Sequence, residues 1–316
     1  MTTKKMDSDV DPGYGGQEFG RGRLAMLHPK DAYPTLNRRE FLSRAASAGV
    51  TVPSMAAILA ACGGAGPTGD GGDAGPTPDG GEAEPALALL ERFTWFKGAA
   101  FRWLGDGLTV YIDPWGVSEE NPPADAIFIT HAHFDHFSLD DIEKVAKQST
   151  KLVAPPDVAA ELTGDVTPAA PGDALEVAGV NVQVVPAYNV VEERPFHPKR
   201  NRWVGYILEL QGTNYFHAGD TDHIPEHDDV RTDVVLLPIG GTPFTMDATE
   251  AGGLARSISP KVAVPMHFGF KPIGFGCSVG TPDDAEVFRE QAAPVPVEVL
   301  TPVHPLKGGD GLESCG

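Results

Sequence analysis

The sequence predicts an α/β (α+β) domain in which sheets are covered by helices. Three observations carry that prediction. From residue 86 onward, short β-rich runs alternate with stretches of helical periodicity. Several of the runs are neighbours, as at 204–210 and 213–217, which fits strand pairs within sheets. The chain has 316 residues, 41% hydrophobic and 22% charged, so its bulk can close around a core. The segment 86–316 is one large domain of about 230 residues, with no short-period repeat that would signal a solenoid.

In chain order, residues 93–101 and 108–112 read as strands, the second ending at Asp113-Pro114. Residues 126–130 are a short buried strand. Leu139, Ile142, Val145 and Ala146 share one face of a predicted helix over 139–148. Residues 157–162 read as a short helix capped by Asp157. Strands follow at 180–185, 204–210, 213–217, 234–237, 262–265 and 297–300. Helices fill 248–257 and 282–291.

Residues 1–62 have a different character. Asn37-Arg38-Arg39-Glu40-Phe41-Leu42 precedes an uncharged, small and apolar stretch, 45–61. The segment closes on Leu59-Ala60-Ala61-Cys62. This order resembles a twin-arginine export signal ending in a lipobox, with Cys62 as the lipidated residue. Residues 1–61 hold eight basic and six acidic side chains, whereas the rest holds 16 basic against 38 acidic. A basic leader and an acidic body fit an exported domain, lipid-anchored on the extracytoplasmic side of the cell envelope. The segment 63–85 is rich in glycine and proline and reads as a flexible linker.

The formal charge of −20 argues against nucleic acid as an electrostatic partner. Three cysteines exclude a disulfide-dense scaffold. Cys277 and Cys315 either pair after export or remain free thiols.

The chemistry concentrates in Thr130-His131-Ala132-His133-Phe134-Asp135-His136, which leaves a strand and enters a helix. In an extended backbone, His131 and His133 point to the same side, and the turn aims Asp135 and His136 at a second point nearby. Three imidazoles and a carboxylate are ligands for zinc, with manganese or iron as alternatives.

This HxHxDH pattern after a strand resembles the signature of the metallo-β-lactamase superfamily, and later landmarks over 93–301 fall in that family's order. The resemblance implies a four-layer αββα sandwich with two divalent metal ions at one edge. It gives Asp220, in Gly219-Asp220-Thr221-Asp222, the role of bridging both ions, and His267, after Pro265-Met266, the role of last ligand. Where the family often has Pro-Ala-x-His, this chain has Pro186-Ala187-Tyr188-Asn189. His197, eight residues on, is the favoured third imidazole of the first metal, with Asn189 or water as the alternative. The pattern is similar to lactonase- and phosphoesterase-like branches of the family. Asp113 and Asp222 are candidates to orient ligand imidazoles, Tyr188 to donate to an oxyanion, and His223 to touch substrate.

The implied activity is hydrolysis of a small-molecule ester, lactone, amide or phosphoester by metal-activated water, with Asp135 available to protonate the leaving group. The rival reading is a lipoprotein that binds a metal or ligand without turnover.

Overall fold

The computed structural model describes residues 83–271 and 278–306. These lie in one of two units into which the chain divides, Gly71–Gly316. The signal segment with Cys62, the linker to residue 82, Cys277 and Cys315 lie outside the described residues. Among the described residues, no helix is long and apolar enough to cross a membrane.

A short helix α1 (Ala83–Ala88) leads into the first sheet, whose strands lie in chain order. They are β1 (Phe93–Lys97), β2 (Ala100–Gly105), β3 (Leu108–Ile112), β4 (Ala126–Phe128), β5 (Lys151–Ala154) and β6 (Asp165–Pro168). The first three pair antiparallel and the rest join in parallel. The second sheet runs β7 (Ala174–Val177), β8 (Val180–Pro186), β9 (Val204–Leu210), β10 (Thr213–His217), β11 (Val234–Pro238) and β12 (Val262–Met266). Its first four strands are antiparallel and its last two are added in parallel.

Alternation along the strands makes the layers. Val110, Ile112, Ala126 and Phe128 face inward and meet Val182, Tyr206 and Leu208 of the other sheet. Tyr111, Ile127 and Ile129 face outward and pack with Ile142, Val145 and Val158. Those residues come from α2 (Leu139–Val145) and α3 (Pro156–Ala159), which cover the first sheet. On the far side, α4 (Ala248–Ile258) packs on β11 and α5 (Asp284–Ala292) on β12. Helix, sheet, sheet and helix give the four layers. Each large side chain buried between them contributes about 1.5–3 kcal/mol of apolar transfer free energy.

The structure corrects several elements read from sequence. The run 93–101 is two strands, because Lys97 pairs with Ala100 around a two-residue turn at Gly98, whose φ is +53°. The helix predicted to 148 stops at Val145, where Ala146 turns extended with ψ 143°. Leu139, expected on the buried face, is 43% exposed. Asp157 caps nothing; its carboxylate accepts from the Trp203 indole at 2.8 Å. The run 297–300 forms only an isolated bridge, Val297 with Ala263.

Candidate metal centre

The chemistry-bearing residues gather because their strands end together. Asp113 follows β3, His131 to His136 follow β4, Asn189 follows β8, Asp220 follows β10 and His267 follows β12. All five positions lie just past C-terminal strand ends, along one edge of the sandwich. After β4 the chain turns tightly, with the amides of His136 and Phe137 both donating to the His133 carbonyl (3.0 and 2.8 Å). Gly219, at φ +66°, turns β10 toward Asp220; a Cβ there would meet the Val204 carbonyl oxygen at 2.8 Å. Asp113 and His267 are themselves left-handed, with φ 47° and 56°. Such strain in non-glycine residues persists only where the surroundings hold it.

One cluster joins His131, His133, His197 and Asp220, with ligand atoms within 4.8 Å of one another. His131 Nε2 lies 3.0 Å and His197 Nε2 3.1 Å from His133 Nδ1. The protons of two of these rings are accounted for elsewhere. The Thr130 hydroxyl donates to Asp113 Oδ2 (2.6 Å), so at 2.9 Å it accepts from Nδ1 of His131. Nδ1 of His197 faces two carbonyl acceptors, Asn189 Oδ1 at 2.9 Å and Phe244 O at 3.1 Å. In its neutral form each ring therefore turns a bare Nε2 inward.

The adjoining cluster is Asp135, His136 and His267, all buried. Nδ1 of His136 donates to Asp113 Oδ2 at 2.7 Å, which turns Nε2 toward the cluster. His267 Nε2 lies 3.3 Å from Asp135 Oδ2. Asp220 stands between the two groups. Its Oδ2 is 3.9 Å from His131, 3.4 Å from His197, 3.4 Å from His136 and 3.2 Å from His267, each measured to Nε2. His136 Nε2, Asp220 Oδ1 and His267 Nδ1 are buried without a hydrogen-bond partner. Convergent bare nitrogens, orphaned polar atoms and a carboxylate shared by four imidazoles fit divalent cations, and with the fold they suggest divalent metal ions here.

Electrostatics agree. Burial pushes His131 well below the ordinary imidazole range, and burial with the neighbouring His197 pushes His133 down to about 3. Both are neutral at physiological pH. Burial acts against the charged form of His136 too, but Asp220, Asp113 and Asp135 overcome it and hold its pKa well above normal. Burial likewise opposes ionisation of Asp220, and His267 and His136 outweigh it, so the carboxyl lies well below normal. Without a metal, the cluster draws a proton where a cation fits.

Other predicted residues lie elsewhere. Asp113 accepts from the His136 imidazole. Asp222 touches none; it accepts from the backbone amides of Val190 and Val191, from Asn189 and from Arg194. Tyr188 points away from Asn189, as alternation requires. Its hydroxyl donates to Glu226 (2.9 Å) and accepts from Lys199 (2.8 Å), in a cleft of about 410 Å³ also lined by Trp203 and Arg202. His223 pairs with Asp228 at 2.9 Å, partly exposed. Asn189 turns its side chain to His197.

Sequence reasoning missed Thr130, Arg194 and Trp203. The Trp203 ring lies 5.0 Å from both His131 and His133 and 5.7 Å from His197. It also missed an aromatic rim. Phe196 lies 6.5 Å from His133 and 5.1 Å from Phe244. On the other side, Phe270 lies 5.0 Å from His267 and Trp115 packs against both Phe270 and Phe134.

Comparison with known proteins follows the same lines. A family model described as a beta-lactamase superfamily domain matches residues 92–267. A UPF0173 metal-dependent hydrolase of Aeropyrum pernix is 33% identical over 242 residues, covering 67% of this chain and 96% of that protein. One from Methanopyrus kandleri is 30% identical over 241 residues, covering 70% and 99%. Among solved structures, a metal-dependent hydrolase candidate from Parabacteroides distasonis aligns with a TM-score of 0.56 at 30% identity, covering 66% of this chain and 91% of that one. Igni18, a metallo hydrolase from Ignicoccus hospitalis, aligns with a TM-score of 0.53 at 25% identity, covering 66% and 94%.

Proposed function

Because the chain belongs to the metallo-β-lactamase superfamily and is a metal-dependent hydrolase, we propose that its strand-end cluster is a two-ion centre that hydrolyses a small carbonyl substrate. His131, His133 and His197 hold the first ion. Asp135, His136 and His267 hold the second, and Asp220 serves both. Zinc suits this nitrogen and oxygen set best, with manganese or iron acceptable. The observation that carries the reading is the convergence of His131 Nε2, His133 Nδ1 and His197 Nε2 beside the Asp220 carboxylate, a set of ligand atoms that one divalent cation would share.

When bound, the ions supply Lewis acidity, lowering the pKa of water and polarising the substrate's oxygen. The residues do the rest. Asp113 fixes the ring of His136 and, through Thr130, that of His131. Asp135 is ionised: burial raises its pKa, but His136 and His267 outweigh that and lower it. Its side chain keeps 10% exposure, placing it to take a proton from the attacking water and return it to the leaving group.

The aromatic rim supports a substrate with an apolar body. Arg194, 5% exposed, has each of its side-chain nitrogens engaged, by Asp222, Glu250 and Thr242. An apolar rim favours uncharged esters, lactones and amides over phosphoesters. The test is metal analysis of the purified chain together with chromogenic ester, lactone, β-lactam and phosphodiester probes. The expectation is about two ions per chain and carbonyl hydrolysis that chelation abolishes and zinc restores. Hydrolysis indifferent to chelation overturns the proposal. Stoichiometric metal without turnover of any probe favours the binding-protein reading.

We also propose export and lipid anchoring at Cys62, on the motif at residues 37–62. Cys62→Ala should leave the chain unlipidated in membrane fractionation, and a cytosolic chain with an intact Met1 overturns the idea.

A further inference from the structure

We infer that Asn189 is the positioning residue of His197, fixing both the ring's place and which of its nitrogens is bare. This rests on the reading of His197 as a ligand of the first ion. Three hydrogen bonds join the two residues. The Asn189 amide donates to the His197 carbonyl (2.7 Å), and Asn189 Oδ1 accepts from the His197 amide (3.0 Å) and from Nδ1 of its ring (2.9 Å).

The orientation of the Asn189 amide group is dictated by its partners. A backbone N–H can only donate, so the atom facing His197 N is the oxygen. The Phe244 carbonyl can only accept, so the atom facing it at 3.0 Å is the nitrogen. That nitrogen also donates to Asp222 Oδ1 at 3.1 Å. Asp222 in turn is fixed by four donors, the amides of Val190 and Val191 at its other oxygen and Arg194 beside Asn189. Arg194 is 5% exposed and reaches Glu250 Oε2 at 2.6 Å; Glu250 closes the capping box of α4 with Asp247. The chain of contacts thus runs from the start of a helix through Arg194, Asp222 and Asn189 to one imidazole.

The consequence is chemical. With two carbonyl oxygens around Nδ1, the proton of neutral His197 resides there and the lone pair of Nε2 faces His133 and Asp220. Removing the Asn189 oxygen frees the ring to turn and to exchange tautomers. Loss of such an outer partner typically lowers metal affinity about 10–100-fold.

The test uses the full chain, with zinc affinities of both sites measured by chelator competition in wild type, Asn189→Leu, Asn189→Asp and His197→Ala. Asn189→Leu should weaken one ion at least about tenfold and leave the other within about threefold, and Asn189→Asp, which keeps the acceptor but sets a carboxylate against Asp222 and the Phe244 carbonyl, should weaken the same ion alone. Equal weakening of both ions, or of neither, overturns the inference. If His197→Ala leaves both affinities intact, the ligand reading itself fails. Nitrogen NMR of the metal-free wild type needs no substitution: a His197 ring protonated on Nδ1 is expected, and one protonated on Nε2 overturns the inference.

Discussion

The two halves of the cluster are made of different material. Around His136 and His267, support comes from strand ends and the turns beside them. Asp113, just past β3, takes the His136 ring, and the His267 amide donates to Gly98 in the β1–β2 turn at 2.9 Å. Around His197, support comes from an excursion between β8 and β9, fastened by Asn189, Asp222 and Arg194. The first half inherits the rigidity of a packed core. The second depends on a relay of side-chain hydrogen bonds, each able to open separately. Such loops on rigid scaffolds are where binding preferences diverge.

Asp220→Ala should break the comparison altogether, since one carboxylate serves both halves. We expect both ions to bind beyond about 100-fold more weakly, more than the loss of an outer partner, and hydrolysis to vanish. Metal analysis with unchanged stoichiometry contradicts a shared carboxylate.

His197→Ala should separate the halves. The first ion should weaken by at least about tenfold while the second is retained, as isothermal titration can resolve. Simultaneous loss of both ions shows the halves to be one cooperative unit.

A pH titration sharpens the contrast. In the metal-free chain His136 is raised, so it carries a proton at neutral pH, while His131 and His133 are lowered and carry none. Ion uptake beside His136 and His267 must expel that proton, so its affinity should rise with pH; uptake beside His131 and His133 should release none from these two rings. The sign for stability follows. The contribution of His136 in the metal-free chain is full below the ordinary 6.5 and fades as pH rises through its raised value. Unbuffered metal addition at pH 7, with proton counting, checks the release.

The smallest effect belongs to the rim. Phe196, 36% exposed beside His133, should affect selectivity rather than chemistry. Phe196→Ala should lower the preference for apolar over small acyl probes by about three- to tenfold, a change of about 0.6–1.4 kcal/mol. A larger fall in kcat than in selectivity means that the ring acts on the metal ligands instead.

Much of the fold and of the site was legible because it is local. His131 to His136 fall within one turn, and Asp220 and His267 follow strands whose apolar runs are plain. Residues 213–217 and 204–210 formed strands over the expected spans. The strands β5 to β7 escaped notice because each is four residues long and β6 is largely exposed or half-buried. Around Asn189 the choice of ligand stayed open, since it depends on contacts with Asp222 and Phe244, 33 and 55 residues away. Asp222 and Tyr188 were misplaced for the same reason: sequence gave their chemistry but not the side of the chain to which each turns. Trp203 carried no metal-binding signal, because an indole becomes part of such a site only by packing.

That indole has an optical consequence. Trp203 lies in ring contact with the three histidines of one half, while Trp115 is a single ring removed from His267 in the other. Trp95 and Trp103 are sealed between the sheets. A paramagnetic ion such as cobalt or copper quenches an excited indole more strongly the nearer it lies. Filling the centre with cobalt should therefore dim Trp203 and Trp115, and Trp203→Phe should remove the part of the signal that reports from beside His131, His133 and His197. The protein carries its own fluorophores for watching the centre fill.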